Sequence, residues 1–504
     1  MLADLLSSVH VWTALTILVG AYLLRPKKKS PFPVVNSYSG DFLGRRARRE
    51  VRDNARGLIA EGLAKHKGPI TIVLPRGQQK IVLPASLAGW VKSNKDLDHQ
   101  QLVKEDFFAD VPGFEAQTVL HGPDNAAKRI IATKLGQNES TLAPMSASLA
   151  QGLQTLWGDD SKAWRTIDWR GDTMGLIARA ASSVFVGPQQ AGDQEWLGLV
   201  QGYVLSYFTA VGELHGYPAW SRSLVHWVLP SAAACRKMMR RARVMMQEVA
   251  SKRRNEAERA GQEGKKAPEY NDVIAWAQAD SGGSSIDPGE LQLSLAMAAL
   301  FTTTEMFRQI LIELASHPEF VEPLRSEVSR EVSAHGISLV ALNNMGLLDS
   351  FMKESQRESA GLVVLERAAL RDTVLPTGQV IPRGAHIMVD SSELWDPAVY
   401  PSPLKFDGYR FLRKREDNGS SSQFVQSGLG FHVFGGGRHI CPGRFFASNE
   451  LKLALAHILL KYDIRLAQGC DKPKPIQAGF YAMVNPMVQL EVRRRSDGAV
   501  DILS

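Results

Sequence analysis

The segment from Phe434 to Tyr462 most constrains the fold of this chain. Three glycines, Gly435–Gly437, precede Cys441, and Gly443 follows it. Glycine lets a backbone turn tightly and approach a flat ligand closely. Beyond the cysteine, apolar residues recur at helical spacing, which predicts a buried helix. A helix N-terminus stabilises a thiolate through its free N–H groups, so Cys441 is a candidate for thiolate chemistry. Taken alone, the segment also fits a structural cysteine on a tight loop.

Cysteine content and charge exclude several classes of protein. The chain has 504 residues and three cysteines, Cys235, Cys441 and Cys470, without CxxC spacing. An odd and sparse set of this kind argues against a disulfide framework and against a zinc site. The formal net charge of +7 suits an anionic membrane surface or an acidic partner protein, and it does not indicate nucleic acid.

The amino terminus predicts a membrane anchor. Leu5–Leu24 is mainly apolar and 20 residues long, enough for a helix to cross a bilayer core. Arg25 and Lys27–Lys29 follow at once, and positive flanks stay cytoplasmic. A cleaved signal peptide is the alternative, but a basic n-region is missing. We therefore predict an anchor (1–24), a basic, proline-rich hinge (25–40) and one catalytic domain (41–504).

The body of the chain reads as a mainly α domain with small β-sheets. Residues 71–84 predict two short strands around a turn, and further short strands are expected within 373–388. Two polar stretches, 251–270 and 415–428, are interpreted as surface loops.

A long helix is predicted from Pro288 towards Pro318. Asp287 is a good N-cap, and proline suits the first helical position. The middle of this helix reads Ala298-Ala299-Leu300-Phe301-Thr302-Thr303. A threonine pair in a helix is ordinarily unremarkable, because its hydroxyls bond back to the preceding turn.

The cysteine segment resembles the haem loop of cytochrome P450 enzymes, whose pattern is FxxGxRxCxG. The matching residues are Phe434, Gly437, His439, Cys441 and Gly443, with histidine in place of the usual arginine. The resemblance implies haem b (iron protoporphyrin IX) as cofactor and the thiolate of Cys441 as axial ligand of the iron. It also implies that His439 binds a haem propionate.

Other motifs of that family follow in order. Glu354 and Arg357 match its E-x-x-R motif, and Arg410 matches the arginine that joins them in a buried, structural triad. Arg367 lies where family members place a second propionate-binding cation.

The long helix resembles the oxygen-binding groove of the family, (A/G)Gx(D/E)TT. Ala298 and Ala299 are then the small residues beside the haem. Thr302 is the threonine that helps to deliver protons, with Thr303 in support. Phe301 replaces the usual acid, which leaves the proton relay without its carboxylate.

The resemblance implies a monooxygenase that uses O2 and electrons from an NADPH–cytochrome reductase to oxidise a hydrophobic small molecule. The style of the sequence favours a fungal secondary metabolite of terpenoid or polyketide type, with pocket walls near 361–365 and 480–483. The expected location is the endoplasmic reticulum membrane, with the catalytic domain in the cytosol. Oxidative rearrangement, ring expansion, desaturation or coupling of such a substrate is an alternative, and a Cys-Pro haem sensor is an alternative of another class.

Overall fold

Helices form most of the chain that the computed structural model describes, which is residues 30–496 without 42–43, 75–77, 121–125, 280–285, 429 and 473. The predicted anchor, 1–24, and the first part of the hinge lie outside the described residues. Within them, one helix, Pro288–Ser316, is long and apolar enough to cross a membrane. Because 67% of its most apolar stretch is buried inside the protein, it reads as a core helix.

The helices occur along the whole of the described chain. Their bounds are α1 (Arg45–His66), α2 (Ala88–Ser93), α3 (His99–Asp106), α4 (Glu115–Leu120), α5 (Ala126–Ile130), α6 (Leu142–Trp157), α7 (Trp169–Phe185), α8 (Gln194–His215), α9 (Arg222–Val228), α10 (Pro230–Gln262), α11 (Val273–Ala279), α12 (Pro288–Ser316), α13 (Val321–His335), α14 (Leu339–Asn344), α15 (Gly346–Glu358), α16 (Arg410–Asn418) and α17 (Arg444–Lys461).

The strands form small sheets at the edge of the helical body. Their bounds are β1 (Ile70–Val73), β2 (Gln79–Leu83), β3 (Leu97–Asp98), β4 (Arg165–Thr166), β5 (Val363–Ala369), β6 (Thr373–Val374), β7 (Val380–Ile381), β8 (His386–Asp390), β9 (Tyr462–Leu466), β10 (Ile476–Ala478), β11 (Tyr481–Met483) and β12 (Leu490–Arg494). The largest sheet has the order β1-β2-β8-β5-β3, in which β2 and β8 run parallel. The prediction of short strands within 71–84 and 373–388 is confirmed.

The core lies around α12, which packs against α4, α7 and α10. Its start is fixed as the sequence predicts, because the Asp287 carboxylate accepts a hydrogen bond from the N–H of Glu290 at 3.0 Å. Most of its side chains are buried, so it is held by packing on nearly every face. A helix in this position can carry a reactive side chain with little freedom to move.

Both predicted surface loops were partly wrong. Residues 251–262 continue α10, because this charged stretch consists largely of helix-forming Arg, Glu, Ala and Gln. Arg253 also pairs with Asp272 at 2.5 Å, which ties the helix to the next segment. In the second stretch, α16 extends to Asn418 and a 3₁₀ turn follows at Gly419–Ser422. The high charge of these two stretches therefore indicates that they are exposed to solvent, and it does not indicate that the helix has ended.

Candidate active site

Cys441 lies on a tight loop immediately before α17. Its backbone N–H donates to the carbonyl of Phe434 at 2.8 Å, which closes the loop. Gly435 and Gly437 have φ of 75° and 61°, a left-handed conformation that favours glycine. A Cβ on Gly437 would lie 2.3 Å from the Lys92 carbonyl oxygen, so the loop packs directly on α2. The glycines are therefore required by the shape of the loop.

The surroundings of Cys441 act on the pKa of its thiol in opposite directions. Burial raises its pKa, while the N–H groups of Gly443 and Arg444 and the Arg444 guanidinium act in the opposite direction. A metal ion at the sulfur would reverse the effect of burial, since a coordinating thiol loses its proton. By contrast, Cys235 is packed in the core, where burial raises its pKa to about 12.

Arg367 is a buried cation that forms no ion pair with any residue that the structure describes. Its side chain on β5 is 2% exposed, and it donates to the carbonyls of Glu366 at 2.7 Å and Gly436 at 3.4 Å. Its buried Nε has no hydrogen-bond partner among the described residues. Burial lowers the pKa of Arg367 to about 10. An unpartnered guanidinium N–H beside the cysteine loop fits a carboxylate of a bound ligand.

His439 lies in the same region, and burial disfavours the positively charged form of its ring. Burial lowers the pKa of His439, although the carboxylate of Asp98 at 3.4 Å opposes this effect. Its Nε2 lies 2.8 Å from Arg438 Nε, which donates to it. Nδ1 then carries the proton, so His439 can act as a hydrogen-bond donor. The permanent charge belongs to Arg438, which also donates to Asp98 at 3.1 Å.

Two further basic side chains join this region, and the sequence reasoning missed both. The Nδ1 of His99 lies 3.1 Å from the carbonyl oxygen of Glu366, and the centroids of the His99 and His439 rings are 6.2 Å apart. Lys128 is half-buried near Asp98, and burial lowers its pKa. No local motif marked either residue, since each comes from a different part of the chain. We call the set the cationic cluster: His99, Lys128, Arg367, Arg438 and His439.

The middle of α12 presents a small open face. Ala298 and Thr302 are exposed, although the helix is otherwise largely buried, and they lie one turn apart. The Thr302 hydroxyl donates to the carbonyl of Ala298 at 2.9 Å, which leaves its oxygen able to accept. Thr303 is 4% exposed and so points into the core, away from this face. Ala299 is half-buried and lines a small cavity between α12 and α7.

Phe301, which stands where the resemblance expects an acid, packs against another ring. Its centroid lies 5.0 Å from that of Phe208 on α8. Phe208 in turn contacts Phe107 at 6.4 Å between centroids. Phe301 thus contributes to an aromatic wall and has no titratable group.

The motif residues Glu354, Arg357 and Arg410 lie together and are buried. The Glu354 carboxylate accepts from Arg357 Nε and Nη2, each at 2.9 Å, and from Arg410 Nε at 3.0 Å. Arg357 also donates to the carbonyl of Leu394 at 2.9 Å, and Arg410 to that of Pro401 at 2.7 Å. The triad therefore ties α15 to the segment that leads into α16, and it does not touch the open face of α12.

A bulge in β5 aims Arg367 at the cysteine loop. The pairing with β8 shifts by one residue between Val364 and Arg367, and Leu365 takes φ of 52°. A positive φ at a leucine is strained, and such residues cluster at functional sites. The sequence carried no glycine to signal this bulge.

A cysteine on a glycine loop, a neighbouring cluster of cations and a mainly helical body together define the architecture of haem-thiolate enzymes. The model of the cytochrome P450 family matches residues 204–492. Cytochrome P450 monooxygenase hepE of Aspergillus oryzae is 34% identical over 492 residues, which cover 95% of this chain and 89% of that protein. Cytochrome P450 monooxygenase adrA of Penicillium rubens is 33% identical over 493 residues and covers 96% of each chain.

Solved structures give the same fold. The haem domain of cytochrome P450DA superposes with a TM-score of 0.70 over 92% of this chain and 98% of that one, at 16% identity. Cyanobacterial CYP120A1 with bound retinoic acid gives a TM-score of 0.66 over 92% and 99%, also at 16% identity. This chain belongs to the cytochrome P450 family. It is a monooxygenase of that family, and its cofactor is haem with a cysteine thiolate as axial ligand.

Proposed function

We propose that this chain is a membrane-anchored monooxygenase that inserts oxygen into a hydrophobic small molecule, with Cys441 as the axial ligand. The observation that carries the assignment is the loop itself. The N–H groups of Gly443 and Arg444 favour the thiolate of Cys441 by lowering its pKa. The Nε of Arg367 on β5 is buried without a hydrogen-bond partner among the described residues. A haem would satisfy both groups, because its iron would bind the Cys441 thiolate and a propionate would accept a hydrogen bond from the Arg367 Nε.

The cationic cluster is the proposed binding site for the haem propionates. Arg367 Nε, His439 Nδ1 and Arg438 supply donors, and Asp98 holds Arg438 in place at 3.1 Å. Phe434 and the glycines shape the loop around Cys441. The bound haem thiolate supplies the reductive activation of dioxygen and the cleavage of its O–O bond.

The open face of α12 is the proposed oxygen side of the site. Ala298 leaves space there, and Thr302 holds a proton on Oγ1 that it now donates to the Ala298 carbonyl. Thr302 can release that proton to a reacting oxygen and accept another from water. Phe301 cannot take part, because its ring carries no proton to transfer.

The proposed substrate is a hydrophobic secondary metabolite of terpenoid or polyketide type. The expected pocket walls, 361–365 and 480–483, contain Leu362, Leu365 and Phe480, which are all buried. Apolar walls with few charges favour an apolar ligand. The similarity to cytochrome P450 monooxygenases of Aspergillus and Penicillium supports a role in fungal secondary metabolism.

The proposed electron donor is an NADPH–cytochrome reductase, and the proposed location is the endoplasmic reticulum membrane with the body in the cytosol. Besides the apolar segment at 5–24, α9 and the turn before it support membrane contact. Leu224, Trp227 and Val228 are 68%, 56% and 78% exposed. Large apolar side chains clustered on a surface mark interaction sites.

Spectroscopy and product analysis test this function. The ferrous–CO complex should show the strongly red-shifted Soret band of thiolate ligation, and Cys441→Ala should abolish it. Cys235→Ala and Cys470→Ala are matched controls that should retain the band. If Cys441→Ala also retains it, the ligand assignment is wrong.

Purified protein with the reductase and lipophilic candidates should give products heavier by one oxygen atom, as measured by mass spectrometry. Isomeric or dehydrogenated products would favour rearrangement or desaturation instead. Product that forms without the reductase would refute the proposed donor.

A further inference from the structure

The open face of α12 carries one acidic side chain. Glu305 follows Thr302 by three residues, so the two lie on the same side of the helix with Cβ atoms about 5–6 Å apart. Ala298, Phe301, Thr302 and Glu305 are the exposed or half-buried positions on this side. Because side chains at this spacing are neighbours on a helix surface, one water can bridge the Glu305 carboxylate and the Thr302 hydroxyl.

Glu305 is held in place from one side only. Its Oε1 pairs with Arg308, and the hydrogen bonds of the described residues leave Oε2 unused. The Glu305 side chain is 27% exposed, whereas that of Arg308 is 10% exposed. The carboxylate therefore reaches solvent at the edge of the open face while its counter-ion stays inside.

Arg308 is itself fixed by α7. Its Nε donates to the hydroxyl of Thr173 at 3.0 Å, and Nη2 donates to the carbonyl of Arg170. Its guanidinium also lies 5.9 Å from the centre of the Trp169 ring. Arg308 thus contacts a hydroxyl, a carbonyl and an aromatic ring of α7. Among the described residues, Arg308 is the charged group in contact with Glu305. An arginine anchored in this way orients the carboxylate without competing for its second oxygen.

We infer that Glu305 is the proton-supplying residue behind Thr302, in place of the acid that Phe301 has replaced; this inference rests on the proposed function. Insertion of one oxygen atom consumes a pair of electrons from the reductase and a pair of protons, and releases water. Thr302 Oγ1 gives its proton to the reacting oxygen and takes one from the bridging water. The Glu305 carboxylate accepts a proton from solvent on Oε2 and passes it to the bridging water. This relay runs once for each of the two protons, so the protein is unchanged after turnover. Glu305 acts through Thr302 and is a positioning residue rather than a catalytic one.

Glu305→Gln separates this role from a structural one. The amide keeps the shape and can still contact Arg308, but it cannot exchange a proton with water. Product formed per NADPH should fall about 10²-fold, at the lower end of the range for general acid–base steps, with more peroxide released. The solvent deuterium isotope effect on coupling should rise, and Glu305→Asp should restore most of the coupling.

Glu290→Gln is the matched control. Glu290 lies on the same helix, pairs with Arg243 at 2.6 Å and has 24% of its side chain exposed, but it is several turns from Thr302. Coupling, isotope effect and thermal unfolding midpoint should equal those of the wild type. The midpoint of Glu305→Gln should fall only slightly, because the amide oxygen still accepts a hydrogen bond from Arg308 and the Glu305 side chain is 27% exposed.

A measurement without turnover completes the test. The infrared stretching frequency of CO bound to the ferrous protein reports the polarity of the open face. It should differ between the wild type and Glu305→Gln, because the substitution removes a carboxylate from this face, and it should be the same in the wild type and Glu290→Gln. Unchanged coupling in Glu305→Gln, or the same CO stretching frequency in the wild type and in Glu305→Gln, would overturn the assignment. A wild-type protein that binds CO through a thiolate but forms no oxygenated product would instead refute the proposed function.

Discussion

Replacing Glu354 by Gln should sharply destabilise the holoprotein. Glu354 and Arg357 are 0% exposed and Arg410 is 5% exposed, so water cannot compensate for the lost charge. The carboxylate accepts hydrogen bonds from both guanidinium groups, and its removal leaves two buried cations facing each other. Breaking a buried pair by removing one partner costs about 3–5 kcal/mol.

This magnitude is large compared with the stability of an ordinary domain, about 5–15 kcal/mol. At roughly 2 °C per kcal/mol for a large domain, the thermal midpoint should fall by about 6–10 °C. The assay is thermal unfolding of purified holoprotein, followed by far-ultraviolet circular dichroism and by the haem absorbance. The yield of haem-loaded protein should fall in parallel.

A solvent-exposed ion pair provides the control for Glu354. Glu195 pairs with Arg241 at 2.6 Å, and their side chains are 56% and 41% exposed. Glu195→Gln should change the midpoint little, because exposed ion pairs contribute little to stability. Equal midpoints for Glu354→Gln and Glu195→Gln would show that the buried carboxylate does not hold α15 to the following segment.

Three further outcomes follow from the site and the amino terminus. Thr302→Val should leave haem binding intact while lowering the product formed per electron pair by about 10²–10⁴-fold and raising the release of peroxide, as measured in turnover assays. Thr303→Val should cause a smaller loss of product, because the Thr303 side chain is buried. Unchanged coupling in Thr302→Val would favour the rearrangement alternative. Arg367→Ala should lower the ratio of haem to protein absorbance after purification, and full haem loading would argue against a propionate at this residue. Deleting residues 1–24 should release much of the protein from membranes in a sedimentation assay. The arginines of 45–52 should keep some of it on anionic vesicles. Unchanged sedimentation would show that another segment provides the anchor.

Local signals predicted much of the fold and the position of the cysteine. The glycine run before Cys441 specified a loop that only glycine can form, and Asp287 with Pro288 specified where α12 begins. These features depend on neighbours within a few residues, so the sequence displays them directly. The triad could not be predicted from local signals, because Arg410 and Glu354 are 56 residues apart. Their contact was expected only from the order of the family motifs.

Other parts of the site depend on contacts that no local pattern encodes. Asp98 and Arg438 are 340 residues apart, and their contact exists because α2 packs on the glycine loop. The protonation of His439 likewise depends on burial, which the sequence does not display and which lowers its pKa. The exposure that separates Thr302 from Thr303 likewise depends on which side of α12 the rest of the protein leaves open.

The bulge at Leu365 shows how local strain and site geometry are linked. Side chains alternate along a strand, so a shift of one residue in the pairing exchanges the faces that all later side chains occupy. The shift lets Arg367 pair opposite Ile387 while its guanidinium reaches the carbonyl of Gly436. Glycine would adopt the positive φ without strain, but Leu365 is 4% exposed and packs beside Gly436, so its side chain is needed to fill the core. A strained leucine costs about 1–3 kcal/mol, and it persists because the packing of its side chain and the placement of Arg367 depend on the same bulge.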